Sequence, residues 1–417
     1  MDRSLVISIV VMLTAVAAAP VIATALSRFI RVPVAVIEMF LGLLIGPSIL
    51  GLAHTSSGDV IDWLRVIGVV LLFFAAGVET NFKPLMGRQL NIATVSWLFC
   101  LVLAIAITTG MAYGMDLGGT TSAWVTGVFI GGAIVSTALG TIYPMVHDAG
   151  EITTKVGQAT IASGVIGQFA PLIALAVLVG ADGHNPLWAL GMHILFAVIV
   201  AAALWVMRHG LPFGLARVQS MTIDSSGQFG VRLQALIVGA VVLLAVTMGV
   251  DRLIGAFAAG ILVRQLLVKG DATVYTILAR KVKGISYGFF IPMFFVWAGV
   301  TFDLRALANN PQTLWFIPVF VVLKLVVRGV PGSATLPKGS TFQERTATSL
   351  LVGTGLAVVI VMANLGLEAG AFNSAFAAAM MGGGKLTALL FPTIGLILAN
   401  RARGVDPRRQ VEAVVVE

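Results

Sequence analysis

The chain has 417 residues, 58% of them hydrophobic and only 11% charged, with a mean hydropathy of +1.01 and a formal net charge of +8. A soluble domain keeps roughly 25% charged residues facing water, so this composition excludes an ordinary globular protein and points to a chain embedded in a bilayer. The basic excess, which in a soluble protein would suggest nucleic acid, reads here as Lys and Arg in short cytoplasmic loops, and no nucleic-acid partner is expected.

In chain order, apolar runs fall at 4–26, 33–52, 60–80, 89–113, 121–146, 153–180, 187–207, 231–250, 253–268, 285–302, 313–331, 343–366 and 372–400. Each is near the length a tilted membrane helix needs. The fold class expected is an all-α polytopic membrane protein of about 13 transmembrane helices. The first run has a charged start and small residues (Ala17, Ala18, Ala19) that mimic a signal peptide. Leu5 to Leu26 is nonetheless long enough to span, so a retained first helix is expected. The single cysteine, Cys100, lies inside an apolar run, which leaves no disulfide framework and no thiolate metal site.

Charge sets the orientation. Basic residues cluster after the first, third, seventh, ninth and eleventh runs: Arg28 and Arg31, Lys83 and Arg88, Arg208 and Arg217, then Arg264, Lys269, Arg280, Lys281 and Lys283, then Arg328, Lys338 and Arg345. The intervening loops carry Asp59, Asp116, Asp182, Asp251 and Glu368. The alternation predicts an N-terminus outside, a cytoplasmic C-terminus and insertion in the cell membrane.

The runs also repeat. Phe73-Phe74-Ala75-Ala76-Gly77-Val78 resembles Phe295-Val296-Trp297-Ala298-Gly299-Val300, an offset of 299 − 77 = 222. Gly42-Leu43-Leu44 matches Gly260-Ile261-Leu262 at 218, Gly131 matches Gly353 at 222, and Phe169-Ala170-Pro171 matches Phe391-Pro392 at 221. Four matches in order near one offset predict two six-helix halves with the seventh helix as linker. With seven helices separating the copies, the halves are threaded oppositely, an inverted repeat of the kind secondary transporters use. The expected division is a first repeat plus linker helix over 1–206, a cytoplasmic linker at 207–230, a second repeat over 231–404 and a cytoplasmic tail at 405–417.

Such repeats place their site where helices are interrupted. The fifth run carries Gly131, Gly132, Ser136, Thr137 and Gly140; the twelfth carries Gly353, Thr354 and Gly355. Glycine lowers the cost of leaving helical geometry, and the freed carbonyls and hydroxyls would ligate a hard cation. Close packing by small residues is the alternative.

The stretch Glu38-Met39-Phe40-Leu41-Gly42-Leu43-Leu44-Ile45-Gly46-Pro47-Ser48-Ile49-Leu50-Gly51 resembles the second-helix signature of the monovalent cation:proton antiporter superfamily, the sodium/hydrogen exchangers. Ser136-Thr137-Ala138 is similar to its broken-helix motif, and Phe294-Phe295 with Gly299 and Leu389 to Pro392 follow its pattern. The likeness covers residues 30–400. It implies a homodimer, crossing broken helices, and exchange of a monovalent cation, Na+ ahead of K+, for protons by alternating access, with no cofactor and no enzymatic activity. The family carries an acidic pair in the next helix, where this chain reads Gly167-Gln168. Gln168 offers a carbonyl oxygen but cannot titrate. A natural loss, an engineered Glu→Gln neutralisation and a different coupling all remain open. So does an uncoupled or channel-like conductor, or a carrier of another solute, on the same fold.

The remaining charges inside runs are candidates by cost alone. Lys324 matches the place where many family members carry a basic residue near the ion site, and a desolvated lysine could carry protons in place of the missing acid. Arg328, one turn on, is expected to snorkel to the inner surface as a structural charge. Glu38 is expected to be structural too, as a cap or paired with Arg31 or Arg65. No His, Cys and carboxylate spacing suggests a metal site, and no serine and base pair suggests a hydrolase.

Overall fold

The computed structural model describes residues 3–26, 34–55, 59–79, 88–115, 117, 119–178, 186–209, 222, 225–268, 272–302, 304 and 314–403. Among these every regular element is helical. In lipid a backbone must satisfy its own N–H and C=O groups, and a long apolar run does so only as a helix.

The first four helices are α1 (Arg3–Leu26), α2 (Val34–Ile45), α3 (Val60–Glu79) and α4 (Arg88–Gly114). The fifth is broken into α5a (Ala123–Val135) and α5b (Leu139–Asp148). Then follow α6 (Lys155–Leu178), α7 (Pro186–His209), α8 (Phe229–Thr247) and α9 (Arg252–Val268). The tenth, α10, runs Ala272–Ile285, through a π turn at Ser286–Phe290, into Ile291–Val300. α11 begins at Phe316–Leu323, widens into a π turn at Lys324–Gly329 and ends in a 3-10 turn at Ser333–Thr335. The twelfth is broken into α12a (Phe342–Gly353) and α12b (Ala357–Glu368), and α13 is Ser374–Ala402.

Thirteen helical stretches therefore stand where the thirteen apolar runs predict them. Among the described residues eleven are long and apolar enough to cross a membrane by length and composition, and α2 is a shorter apolar helix. The short run at 253–268 is a separate helix because its start is well signalled. Gly249 takes φ +69 after α8, and Asp251 Oδ1 accepts from Leu253 N at 2.7 Å, the glycine stop and aspartate cap that punctuate helices. Two boundaries differ. α2 stops at Ile45, short of the expected end at 52, where Gly46-Pro47 turns the chain. Arg280, Lys281 and Lys283, expected in a loop, lie in the first part of α10. The helix continues past the point where hydropathy falls, because a basic segment can stay helical at the membrane edge with its stems along apolar surface. Of the linker expected at 207–230, residues 210–221, 223 and 224 lie outside the described residues, as does the tail expected at 405–417.

Two glycine contacts fix the helices flanking the broken pair. α2 meets the second part of α10 through Gly42, Gly46 and Gly299: a Cβ on Gly299 would lie 2.9 Å from the Gly42 carbonyl carbon. α3 meets α9 through Gly77 and Gly260, where a Cβ on Gly260 would lie 2.8 Å from Gly77 Cα. Backbone cannot yield as a side-chain tip can, so these positions require glycine. The ion pair between Arg403 and the buried Glu151 ties the end of α13 to the turn after α5b.

Gly260→Val should lower the thermal stability of the detergent-purified protein by about 2 kcal/mol or more, in the range of overpacked cores. Gly110→Ala, where a Cβ meets open space, should be neutral or slightly stabilising. Melting curves followed by size-exclusion recovery read both; equal losses would sink the packing argument.

Candidate functional site

α5 and α12 are both unwound, and their unwound segments touch. The break in α5 is Ser136-Thr137-Ala138 and that in α12 is Thr354-Gly355-Leu356. Ala138 N donates to Thr354 O at 2.8 Å, and Thr137 Oγ1 donates to Val352 O at 2.8 Å. The two segments are thus stitched main chain to main chain inside the protein, where irregular backbone is tolerated at membrane depth.

α6 makes the break in α5 possible. Pro171 inside α6 has no N–H, so the carbonyl four residues earlier, on Gly167, loses its helical donor. That carbonyl accepts from Thr137 N at 2.8 Å. Gln168, fully buried, accepts on Oε1 from Leu139 N at 3.1 Å and so caps the start of α5b. Its Nε2 makes no hydrogen bond among the described residues.

With Thr137 N and Ala138 N diverted, the carbonyls of Ala133 and Ile134 lose the donors a continuous helix would supply. Lys324 takes them. Its Nζ donates to Ala133 O at 3.0 Å, Ile134 O at 3.2 Å and Ser136 O at 2.8 Å, with Ser136 Oγ at 3.3 Å. An ammonium has three donors, and here four oxygens surround it at the negative end of a half-helix dipole. Lys324 is fully buried, and its stem passes Gly355 so closely that a Cβ there would lie 2.5 Å from Nζ.

Arg328 does not snorkel. It is fully buried, donating from Nε to Thr137 Oγ1 at 3.0 Å and from Nη2 to Ser163 O at 2.8 Å. The π turn explains this: Val330 N donates to Leu325 O, one residue beyond the α spacing, and both cations of the turn face the crossing. Gly167 leaves room for the guanidinium, since a Cβ there would stand 2.7 Å from Nη2. Among the described residues no carboxylate hydrogen-bonds to Lys324 or Arg328.

The expected site residues thus separate into two groups. Ser136, Thr137, Gly167, Gln168, Lys324, Thr354 and Gly355 meet at the crossing, with Gly353 as the last residue of α12a. Gly131, Gly132 and Gly140, expected to break the helix, do not. Gly131 and Gly132 sit inside α5a, the first against Ile105 backbone and the second against Met362, and Gly140 is inside α5b against Leu72. They serve close packing, and the break falls where N–H groups find outside acceptors. Glu38 is buried in α2, but Arg65 pairs with Asp62 at 2.7 Å instead; Arg31 lies outside the described residues. Sequence reasoning passes over Thr387, whose Oγ1 accepts from Gly355 N at 3.1 Å, and Ser163. It also passes over Lys385, buried in α13, which stands over Phe302 at 5.2 Å. A lysine within an apolar run was signal enough for the last; no pattern marks single hydroxyls.

The model of the family described as "Sodium/hydrogen exchanger, transmembrane" matches residues 14–399. The chain is 29% identical to the putative Na+/H+ antiporter YjbQ of Bacillus subtilis over 88% of its own length, spanning 59% of that protein. It is 24% identical to the Na+/H+-K+ antiporter GerN of Bacillus cereus, covering 80% of this chain and 81% of that one. In structure it resembles the sodium proton antiporter MjNhaP1 of Methanocaldococcus jannaschii, with a TM-score of 0.65 at 16% identity over 96% of this chain and 98% of that one. With nearly all its helices inside one family match, the chain belongs to the sodium/hydrogen exchanger family.

Proposed function

We propose that the chain exchanges a monovalent cation, Na+ ahead of K+, for protons by alternating access, and that Lys324 is the proton carrier. The observation that carries this reading is the hold of the Lys324 ammonium on Ala133 O, Ile134 O and Ser136 O. When Lys324 gives up its proton, those hard oxygens with Ser136 Oγ are released to a small cation. When it regains the proton, the ammonium displaces the cation. Proton and cation compete for one set of main-chain oxygens, a competition that needs no carboxylate at Gln168. Arg328, which does not deprotonate, stays as fixed charge pinning Thr137. Relatives named as Na+/H+ antiporters support the choice of ions.

The wider reading goes with it. The two halves, 1–206 and 231–404, are inverted copies linked through 207–230. Support comes from the paired glycine contacts: Gly42 with Gly299 and Gly77 with Gly260 exchange places under the repeat that matches α2 to α9 and α3 to α10. The protein works as a homodimer in the cell membrane with its N-terminus outside, the orientation its basic loops favour. The competing reading is a carrier of another solute. It draws on the two buried cations and the unpartnered Gln168 Nε2, which together suit an anion.

Proteoliposomes loaded with a pH dye decide between them. Addition of Na+ or K+ should dissipate an imposed pH gradient in the wild type. Lys324→Gln should cut the rate at least about a hundredfold, the scale of losing a proton-transfer group. Lys324→Arg should fail as well, keeping the charge but not the titration. A Lys324→Gln protein with wild-type coupled flux would remove the proposed carrier, and a wild type silent to every cation would sink exchange itself.

Gln168→Glu separates a silenced antiporter from a working one. A carboxylate there would still cap α5b and would add charge beside its N-terminus, a placement that favours an anion. The wild type should already exchange, with the Glu variant changed in apparent cation affinity by about tenfold or less. Exchange that appears only in the Glu variant would mean that Gln168 abolishes the activity and that Lys324 does not suffice.

A further inference from the structure

A cavity of about 340 Å3 opens between α2, α5b and α10, with room for several waters. Glu38 of α2 lines it, and His147 of α5b with Lys283 and Tyr287 of α10 bring the other titratable groups. α1, also packed on α2, offers Ala19 and Ala23 there. Glu38 is 5% exposed, and no hydrogen bond or ion pair reaches its carboxylate among the described residues. His147, Lys283 and Tyr287 each have other interactions.

A carboxylate held in a membrane helix without a partner costs stability and returns nothing to the fold. It is not sealed in protein either, because it lines space for water and ions. The cavity is lined by Pro144, Met145 and His147, at the far end of α5b, the half-helix that begins at the crossing. At the crossing itself two cations stand with no carboxylate paired to them, so a cation approaching along α5b meets no counter-charge there. Glu38 supplies one.

We propose that Glu38 is a second cation- and proton-accepting residue of this transporter, apart from Lys324: its carboxyl releases a proton when a monovalent cation binds from the cavity, and takes one up when the cation leaves. The step balances as carboxylic acid plus cation giving carboxylate–cation pair plus proton. The inference rests on the antiporter reading for its place in transport, but the binding event can be tested without flux.

The test uses the full-length protein. N,N′-Dicyclohexylcarbodiimide reacts with protonated carboxyls in apolar surroundings, and mass spectrometry of the Glu38 peptide reads the product. In purified wild type Glu38 should be labelled, and Na+ at fixed pH should lower the labelling about tenfold. In proteoliposomes Glu38→Gln should raise the Na+ concentration for half-maximal proton efflux about tenfold or more and flatten its pH dependence, with Glu38→Asp shifted less. Should Glu38→Gln not fold, the wild-type labelling still carries the test. No label on Glu38, label indifferent to both Na+ and K+, or a Glu38→Gln protein with wild-type cation and pH dependence overturns the inference. Cation protection of Glu38 in a chain that moves no protons would sink the antiporter reading and keep the binding site. Exchange in a chain without that protection would do the reverse.

Discussion

Two main-chain N–H groups, those of Thr137 and Ala138, leave their own helix and bond to Gly167 O and Thr354 O. The rest of the site depends on that diversion. It breaks α5, locks the break against α12, and strips Ala133 O and Ile134 O of donors. Buried carbonyls left so would be costly, and the Lys324 ammonium satisfies both while their dipoles solvate its charge. Pro171 favours it from a distance, since the N–H missing there leaves Gly167 O without its helical donor and open to Thr137 N.

The same interaction accounts for the charge balance. Burying an ammonium in hydrocarbon is expensive unless polar groups surround it. Lys324 finds four oxygens at a half-helix C-terminus, and Arg328 finds a hydroxyl and a carbonyl. Main-chain dipoles therefore supply at the crossing the negative potential that an acid at 167 or 168 would otherwise give. The space at 167 is not vacant: the guanidinium lies against Gly167 Cα, and an Asp there would have to displace it.

The helices were legible in the sequence because lipid makes the rule simple, and thirteen runs became thirteen helical stretches. Their internal interruptions were legible only in part. Ser136, Thr137, Thr354 and Gly355 follow from small and hydroxyl residues in corresponding runs. Gly131 and Gly132 carry the same composition and remain helical, because a glycine permits a break without causing one. The break needs acceptors outside the helix, and those lie some 30 and 220 residues away in the chain, by the spacing of Thr137 from Gly167 and of Ala138 from Thr354. Arg328 was misplaced for a related reason. Its distance from the end of its run suggests a snorkelling side chain, but the π turn that redirects it leaves no pattern in apolar sequence.

A site of this kind limits how many positive charges it can hold. Two unit charges 4 Å apart at an effective dielectric constant of 20 repel by about 4 kcal/mol. A cation seated on Ala133 O and Ser136 O while Lys324 keeps its proton would face that cost from Lys324, with Arg328 adding to it from beyond Thr137. About 4 kcal/mol is roughly a thousandfold in occupancy, enough to make the doubly charged state rare at ordinary ion concentrations. Under the proposed mechanism strict exchange then follows from electrostatics alone. Arg328, a permanent charge near the site, weakens the hold on proton and cation alike, and the carbonyls of Ala133, Ile134 and Ser136 offset that repulsion.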